Sequence, residues 1–77
     1  MEESIGERIV KLRRERGWTQ AGLAGRLYVS DKAVSKWEQE RGVPSLGCLE
    51  ALADVFGVSI DYIVRGGEER RERGQAV

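Results

Sequence analysis

Residues 19–38, TQAGLAGRLYVSDKAVSKWE, constrain the fold of this chain more than any other stretch. Leu23, Ala24 and Leu27 recur at helical spacing after Thr19, and Val34 and Trp37 do so after Ser30. The two runs read as helices over 20–27 and 31–38, each led by a residue suited to an N-cap, with Tyr28 and Val29 forming a tight turn. Helices this short are marginal alone, so both must lean on the flanking segments. The second helix turns its apolar residues inward and presents Asp31, Lys32, Ser35 and Lys36 outward, a small, polar and largely basic face.

Seventy-seven residues suffice for one small domain and not for two cores. A chain of this size buries only about 60% of its unfolded surface, so nearly every large apolar side chain is needed in a single core. One cysteine, Cys48, excludes an internal disulfide and any multi-cysteine metal cluster, and the lack of histidine removes zinc sites and histidine acid/base chemistry. We read Cys48 as a small, partly buried residue, since no flanking cation marks it as a reactive thiol. No apolar run approaches the roughly 20 residues of a membrane span, and the N-terminus is acidic rather than signal-like, so the cytoplasm is the expected compartment.

Taken in order, Ser4-Ile5-Gly6-Glu7 is a capping box that starts a helix over 5–16, with Ile5, Ile9 and Leu12 as its apolar stripe and Val10 widening it. Gly17 stops that helix, and Trp18 is expected to cover the end of the core rather than to stack on bases. Gly22 and Gly25 weaken the second helix, and they are either close-packing positions or simple defects. Residues 40–43 form a polar loop. Ser45 then caps a helix over 46–56, in which Leu46, Leu49, Leu52, Ala53 and Phe56 make the apolar face. Ser59 caps a last short helix over 60–64, with Tyr62 expected at the surface. The expected organisation is an all-α, compact five-helix bundle over 1–66 followed by a flexible charged tail over 67–77.

The formal net charge is zero, but its distribution is uneven. Between Arg8 and Lys36 eight basic residues (Arg8, Lys11, Arg13, Arg14, Arg16, Arg26, Lys32, Lys36) meet two acidic ones, Glu15 and Asp31. Acids collect near the N-terminus and after Gly47, so the domain is expected to offer phosphates a positive face. A second helix with a polar basic face is narrow enough for a DNA major groove, the arrangement of a helix-turn-helix. There lysine can donate to guanine O6 and N7, Asp31 can accept from cytosine N4, serine can serve either partner, and Ala33 can meet a thymine methyl. The plainer alternatives are that Asp31 serves only the helix dipole and that Lys32 and Lys36 only neutralise phosphates.

The segments LRRERGWTQAGLA (12–24), VSDKAVSKWEQ (29–39) and PSLGCLEALADVFGVSIDYIV (44–64) together resemble the phage-repressor type of helix-turn-helix domain, the lambda repressor/Cro-like or XRE family. The resemblance runs over 5–64 and implies a lambda-repressor-like five-helix fold. It implies that Gln20 touches a phosphate and braces a recognition-helix side chain, and that Asp31, Lys32, Ser35 and Lys36 meet base edges. It implies phosphate contacts at Thr19, Ser30 and the loop around Arg41, and an ion pair between Arg13 and Glu38 tying the first helix to the end of the third. The chain departs from the family pattern at Tyr28, where glycine or asparagine is usual, so the turn is expected to differ slightly. It departs again at Gly22, where a glutamate would complete the cap.

The expected function is therefore a sequence-specific regulator of transcription that binds double-stranded DNA, more readily a repressor, since no sensing or activating domain fits in the remaining residues. Few contacts per domain imply a homodimer on a pseudo-palindrome, with Tyr62, Ile63 and Val64 as candidate dimer residues. The alternative of a different class is an antitoxin or adaptor that holds a protein partner on the same fold. No catalytic residues, metal site or cofactor is expected, because nucleophile–base pair, metal cluster and phosphate-binding glycine loop are all missing from the sequence.

Overall fold

Each of the five helices found among the described residues starts at a serine or threonine whose hydroxyl accepts a hydrogen bond from the amide three positions on. The computed structural model describes residues 3–66, folded as α1 (Ile5–Glu15), α2 (Gln20–Leu27), α3 (Asp31–Glu38), α4 (Leu46–Phe56) and α5 (Ile60–Arg65). Ser4 and Glu7 close the reciprocal capping box of α1. At the other ends, Tyr28, Gly57 and Gly66 cap α2, α4 and α5 in the left-handed conformation. Helix α1 ends one residue earlier than its pattern predicts, with Arg16 as its cap, and α5 runs one residue further. The tail expected over 67–77 lies outside the described residues.

The short α2 and α3 rest on each other, with α1 packed against α3 and α5, and α4 against α2 and α5. Their shared core contains Ile9 and Leu12 of α1, Leu23 and Leu27 of α2, Val34 and Trp37 of α3, Leu52 and Phe56 of α4, then Val58 and Ile63. Burial of this common apolar surface is what stabilises two helices too short to persist alone. Among the described residues no helix is long and apolar enough to cross a membrane.

Two expectations about packing are corrected. Leu46 is 66% exposed at the first position of α4, ahead of the turn that meets the core, while Pro44 two residues earlier is buried. Tyr62 is buried at 8% exposure rather than at the surface. Helix α5 is short and pressed between α1 and α4, so adjacent Tyr62 and Ile63 both turn inward. Glu3, by hydrogen bonding, and then Tyr62 hold the Lys11 ammonium above the ordinary lysine range.

The α2–α3 turn is also corrected. Tyr28 takes φ 60° and ψ 40° and keeps the left-handed turn that its side chain was expected to disturb. Its amide and that of Val29 donate to Gly25 and Ala24 respectively, the bonding that closes such a helix end. The ring points to solvent at 95% exposure, so the cost is borne by the backbone alone, roughly 1–2 kcal/mol. The two α2 glycines also separate. A Cβ on Gly25 would meet nothing, whereas one on Gly22 would press on the Thr19 hydroxyl that caps the helix.

Gly25 is therefore a simple defect of the helix. Gly25→Ala should raise stability by about 1 kcal/mol, seen as a melting temperature higher by about 4–8 °C. Tyr28→Gly should stabilise the domain by a similar amount by relieving the turn, roughly 1 kcal/mol in a urea titration.

Candidate nucleic-acid interface

Glu38, at the last position of α3, joins three segments of the chain. Its Oε2 accepts from Arg13 Nε at 2.7 Å, and its Oε1 accepts from a second Arg13 nitrogen at 3.0 Å and from Gln20 Nε2 at 2.8 Å. The third arm of the Arg13 guanidinium donates to the Trp18 carbonyl oxygen at 2.9 Å, just ahead of the Thr19 cap. The planar fork of arginine suits a carboxylate on one side and a carbonyl on the other, which a lysine would not reproduce. The Arg13 and Glu38 side chains are only 11% and 6% exposed. Hydrogen bonding to Glu38 raises the Arg13 pKa further above its ordinary value, so the guanidinium stays charged.

This junction holds α1, the start of α2 and the end of α3 in fixed relation, and the outward side of α3 is displayed from it. Asp31, Lys32 and Lys36 are exposed there. Ser35 is half-buried and its hydroxyl accepts from Gln39 Nε2 at 3.1 Å. An open groove of about 410 Å³ runs between α3 and the loop that follows it, lined by Ser30, Lys32, Ala33, Lys36, Trp37, Arg41, Gly42 and Val43. Of the residues singled out in the sequence for DNA, the groove gathers Ser30, Lys32, Ala33, Lys36 and Arg41. Asp31 and Ser35 lie on α3 outside that lining, and Thr19 and Gln20 sit at the start of α2. The Thr19 and Ser30 hydroxyls accept from the amides of Gly22 (2.9 Å) and Ala33 (3.2 Å), so both act first as caps.

Three of the eight cations in the basic cluster, Arg8, Arg13 and Arg16, are spent on contacts inside the molecule, while Lys11, Arg14 and Arg26 stay exposed away from the groove. Arg8 is buried and donates to the carbonyl oxygens of Ile63 (2.8 Å), Val64 (3.1 Å) and Glu3 (2.8 Å). Arg16 donates to the Phe56 carbonyl oxygen at the end of α4. Both arginines thus meet the carbonyl-rich, partially negative ends of helices. Arg13 is taken by Glu38, Lys11 by Glu3, and Arg26 lies 4.1 Å over the Trp18 ring. Among the cluster's described cations, Lys32 and Lys36 line the groove, and Arg41 joins them from outside the cluster. Trp18 stacks on Phe56 with its ring centroid 6.0 Å away and carries Arg26 over the ring, so it covers the core end and is no platform for bases. Of the three candidate dimer residues, Tyr62 and Ile63 are core and only Val64 reaches solvent, at 39% exposure.

Sequence reasoning missed Val43, which is 72% exposed on the groove wall, and it missed Glu40, which reaches back to Ser4. A four-residue loop, Glu40 to Val43, is too short to carry a periodicity that would mark either one. The only sequence signal near this contact is Gly6, a glycine inside a well-capped helix.

The fold agrees with comparisons to known proteins. A helix-turn-helix family model matches residues 9–63. The HTH-type transcriptional activator BcrR of Enterococcus faecalis is 40% identical over 64 residues, which are 83% of this chain and 31% of that protein. The immunity repressor protein of Bacillus phage phi105 is 39% identical over 66 residues, 86% of this chain and 44% of that protein. Among solved structures, the P22 c2 repressor in complex with a synthetic operator superposes with a TM-score of 0.82 at 33% identity, covering 86% of this chain and 100% of that one. The chain thus spans less than half the length of both curated relatives. It belongs to the helix-turn-helix family, and its five-helix domain is of the XRE type, similar to those of phage repressors.

Removing the Glu38 carboxylate would leave a buried guanidinium without its counter-ion. Glu38→Ala should therefore cost about 3–5 kcal/mol, measured by chemical denaturation. Glu38→Gln, which keeps an acceptor for Arg13, should cost less.

Proposed function

We propose that this chain is the DNA-reading domain of a sequence-specific transcriptional regulator, of the repressor type, that places α3 in the major groove of a pseudo-palindromic operator. The observation that carries this reading is the rigid presentation of α3. Its inner side is locked by Val34, Trp37 and the Glu38 junction, while Asp31, Lys32 and Lys36 stand exposed beside a groove rimmed by Arg41. A helix held this firmly can deliver lysine ammonium groups to guanine edges without a large ordering cost. Gln20 and the capped starts of α2 and α3 would meet the phosphates that set register. That the similar P22 c2 repressor is found in complex with a synthetic operator supports DNA as the ligand here.

The small number of groove-facing cations argues for two copies acting together. A C2 homodimer would set two α3 helices about 34 Å apart, one helical turn of DNA. Val64, the exposed apolar residue near the end of α5, is the candidate contact between the copies.

Selection of binding sites from random duplex should yield an inverted repeat bound at least ~10³-fold more tightly than random sequence. With Lys32, Lys36 and Arg41 on phosphate or base in each of two copies, log affinity should fall with log salt at a slope of about −5. Lys36→Ala should relax the preference at one base position by about 1–3 kcal/mol, and Gln20→Ala should weaken every site alike. Enrichment of no site at all would rule out the proposal and turn attention to a protein partner.

A further inference from the structure

The far end of α3 is held by a contact that the Glu38 junction does not account for. Glu40 has φ 61°, and with Tyr28 it makes up the non-glycine residues at positive φ among those described. Its amide donates to the Trp37 carbonyl oxygen at 3.2 Å, and the next amide, of Arg41, donates to Lys36 at 2.8 Å. Those bonds close the helix and reverse the chain, a task for which glycine is the usual residue because it has no Cβ. Here the position carries a carboxylate, and that carboxylate accepts a hydrogen bond from the Ser4 hydroxyl at the start of α1. The Ser4 oxygen meanwhile accepts from the Glu7 amide at 3.1 Å, so one hydroxyl serves both helices.

Gly6 shows how close the approach is. A Cβ built there would overlap both the Glu40 carboxylate and the Trp37 carbonyl oxygen. Gly6 is buried within α1, so it serves contact rather than a turn. The end of α3 is therefore seated directly on the first turn of α1, where the helix dipole favours a carboxylate. Arg41 follows immediately, and with Lys36 it rims the groove.

We propose that Glu40 is a positioning residue for DNA recognition: its link to Ser4 fixes the direction in which the chain leaves α3, and so holds Arg41 in register with Lys36. Glu40 touches no DNA in this role and acts through the loop it aims. The inference rests on the DNA-binding function proposed above.

Two substitutions of equal charge separate the link from simple electrostatics. Glu40→Gln removes the negative charge but keeps an oxygen for Ser4, whereas Glu40→Gly removes the link and keeps the left-handed backbone. On the selected duplex, Glu40→Gly should bind roughly five- to tenfold more weakly than Glu40→Gln, the equivalent of one lost hydrogen bond. Its salt slope should be shallower by about 2, the contribution of a misplaced Arg41 in each of the two copies. Its melting temperature should be no lower than that of Glu40→Gln, because glycine suits the turn. In the free protein, the Arg41 amide should exchange its hydrogen faster in Glu40→Gly than in Glu40→Gln. Equal affinities and slopes for the two variants would overturn the proposal, as would a loss of affinity matched by a lower melting temperature. If the parent chain selects no duplex, the DNA-binding reading itself fails. The exchange rates still judge the link, and equal rates at Arg41 would refute it.

Discussion

The buried pair of Arg13 and Glu38 is the contact on which the rest of this domain depends. Two helices of eight residues each cannot hold an orientation by themselves. The pair fixes them by chemistry that is directional as well as strong. Arg13 spans from the Glu38 carboxylate to the Trp18 carbonyl oxygen, and Gln20 adds a further donor to the same carboxylate. A hydrophobic contact of similar size, such as Val34 and Trp37 make, would constrain the orientation of α3 by shape alone, because apolar attraction is not directional. A planar guanidinium with two acceptors in fixed places adds a direction to that constraint. Its desolvation is costly, and its return lies in one defined geometry as much as in stability.

The same use of arginine recurs around the fold. Arg8 and Arg16 each reach across the domain to the carbonyl end of another helix, α5 and α4 respectively. These are long-range contacts that stitch the first helix to the last two, and they consume charges that a sequence reading assigns to the outer surface. The consequence for function is a sharper interface. With Arg8, Arg13 and Arg16 engaged internally, the cations gathered around the groove are Lys32, Lys36 and Arg41. A few well-placed charges favour reading over indiscriminate adhesion, because generic phosphate attraction grows with the number of cations presented.

Much of this was legible in the sequence. The serine and threonine caps and the apolar spacings of α1 to α4 locate the helices within a residue, because capping and amphipathic periodicity are local properties. The helix-turn-helix motif is likewise local, and the family match over 9–63 agrees with it. Tyr62 and Leu46 were misread for a common reason. Periodicity does not say where a neighbouring helix packs: α5 lies between α1 and α4 and so buries Tyr62, whereas Leu46 at the first position of α4 is left exposed. The turn at Tyr28 was misjudged because side-chain bulk matters little when the ring stands in open solvent.

The sequence by itself thus determined the five helices, their caps, the core stripe of most of them and the polar face of α3, since each follows from the order of residues along a few turns. Only the tertiary structure decided which cations remain for a ligand, and that Glu40 and Gly6 join the end of α3 to the start of α1. Those outcomes depend on residues 25 to 55 positions apart meeting in space, as Arg13 meets Glu38 and Arg8 meets Ile63. Charge and spacing along the chain carry no record of such meetings, because they are set by how the helices pack.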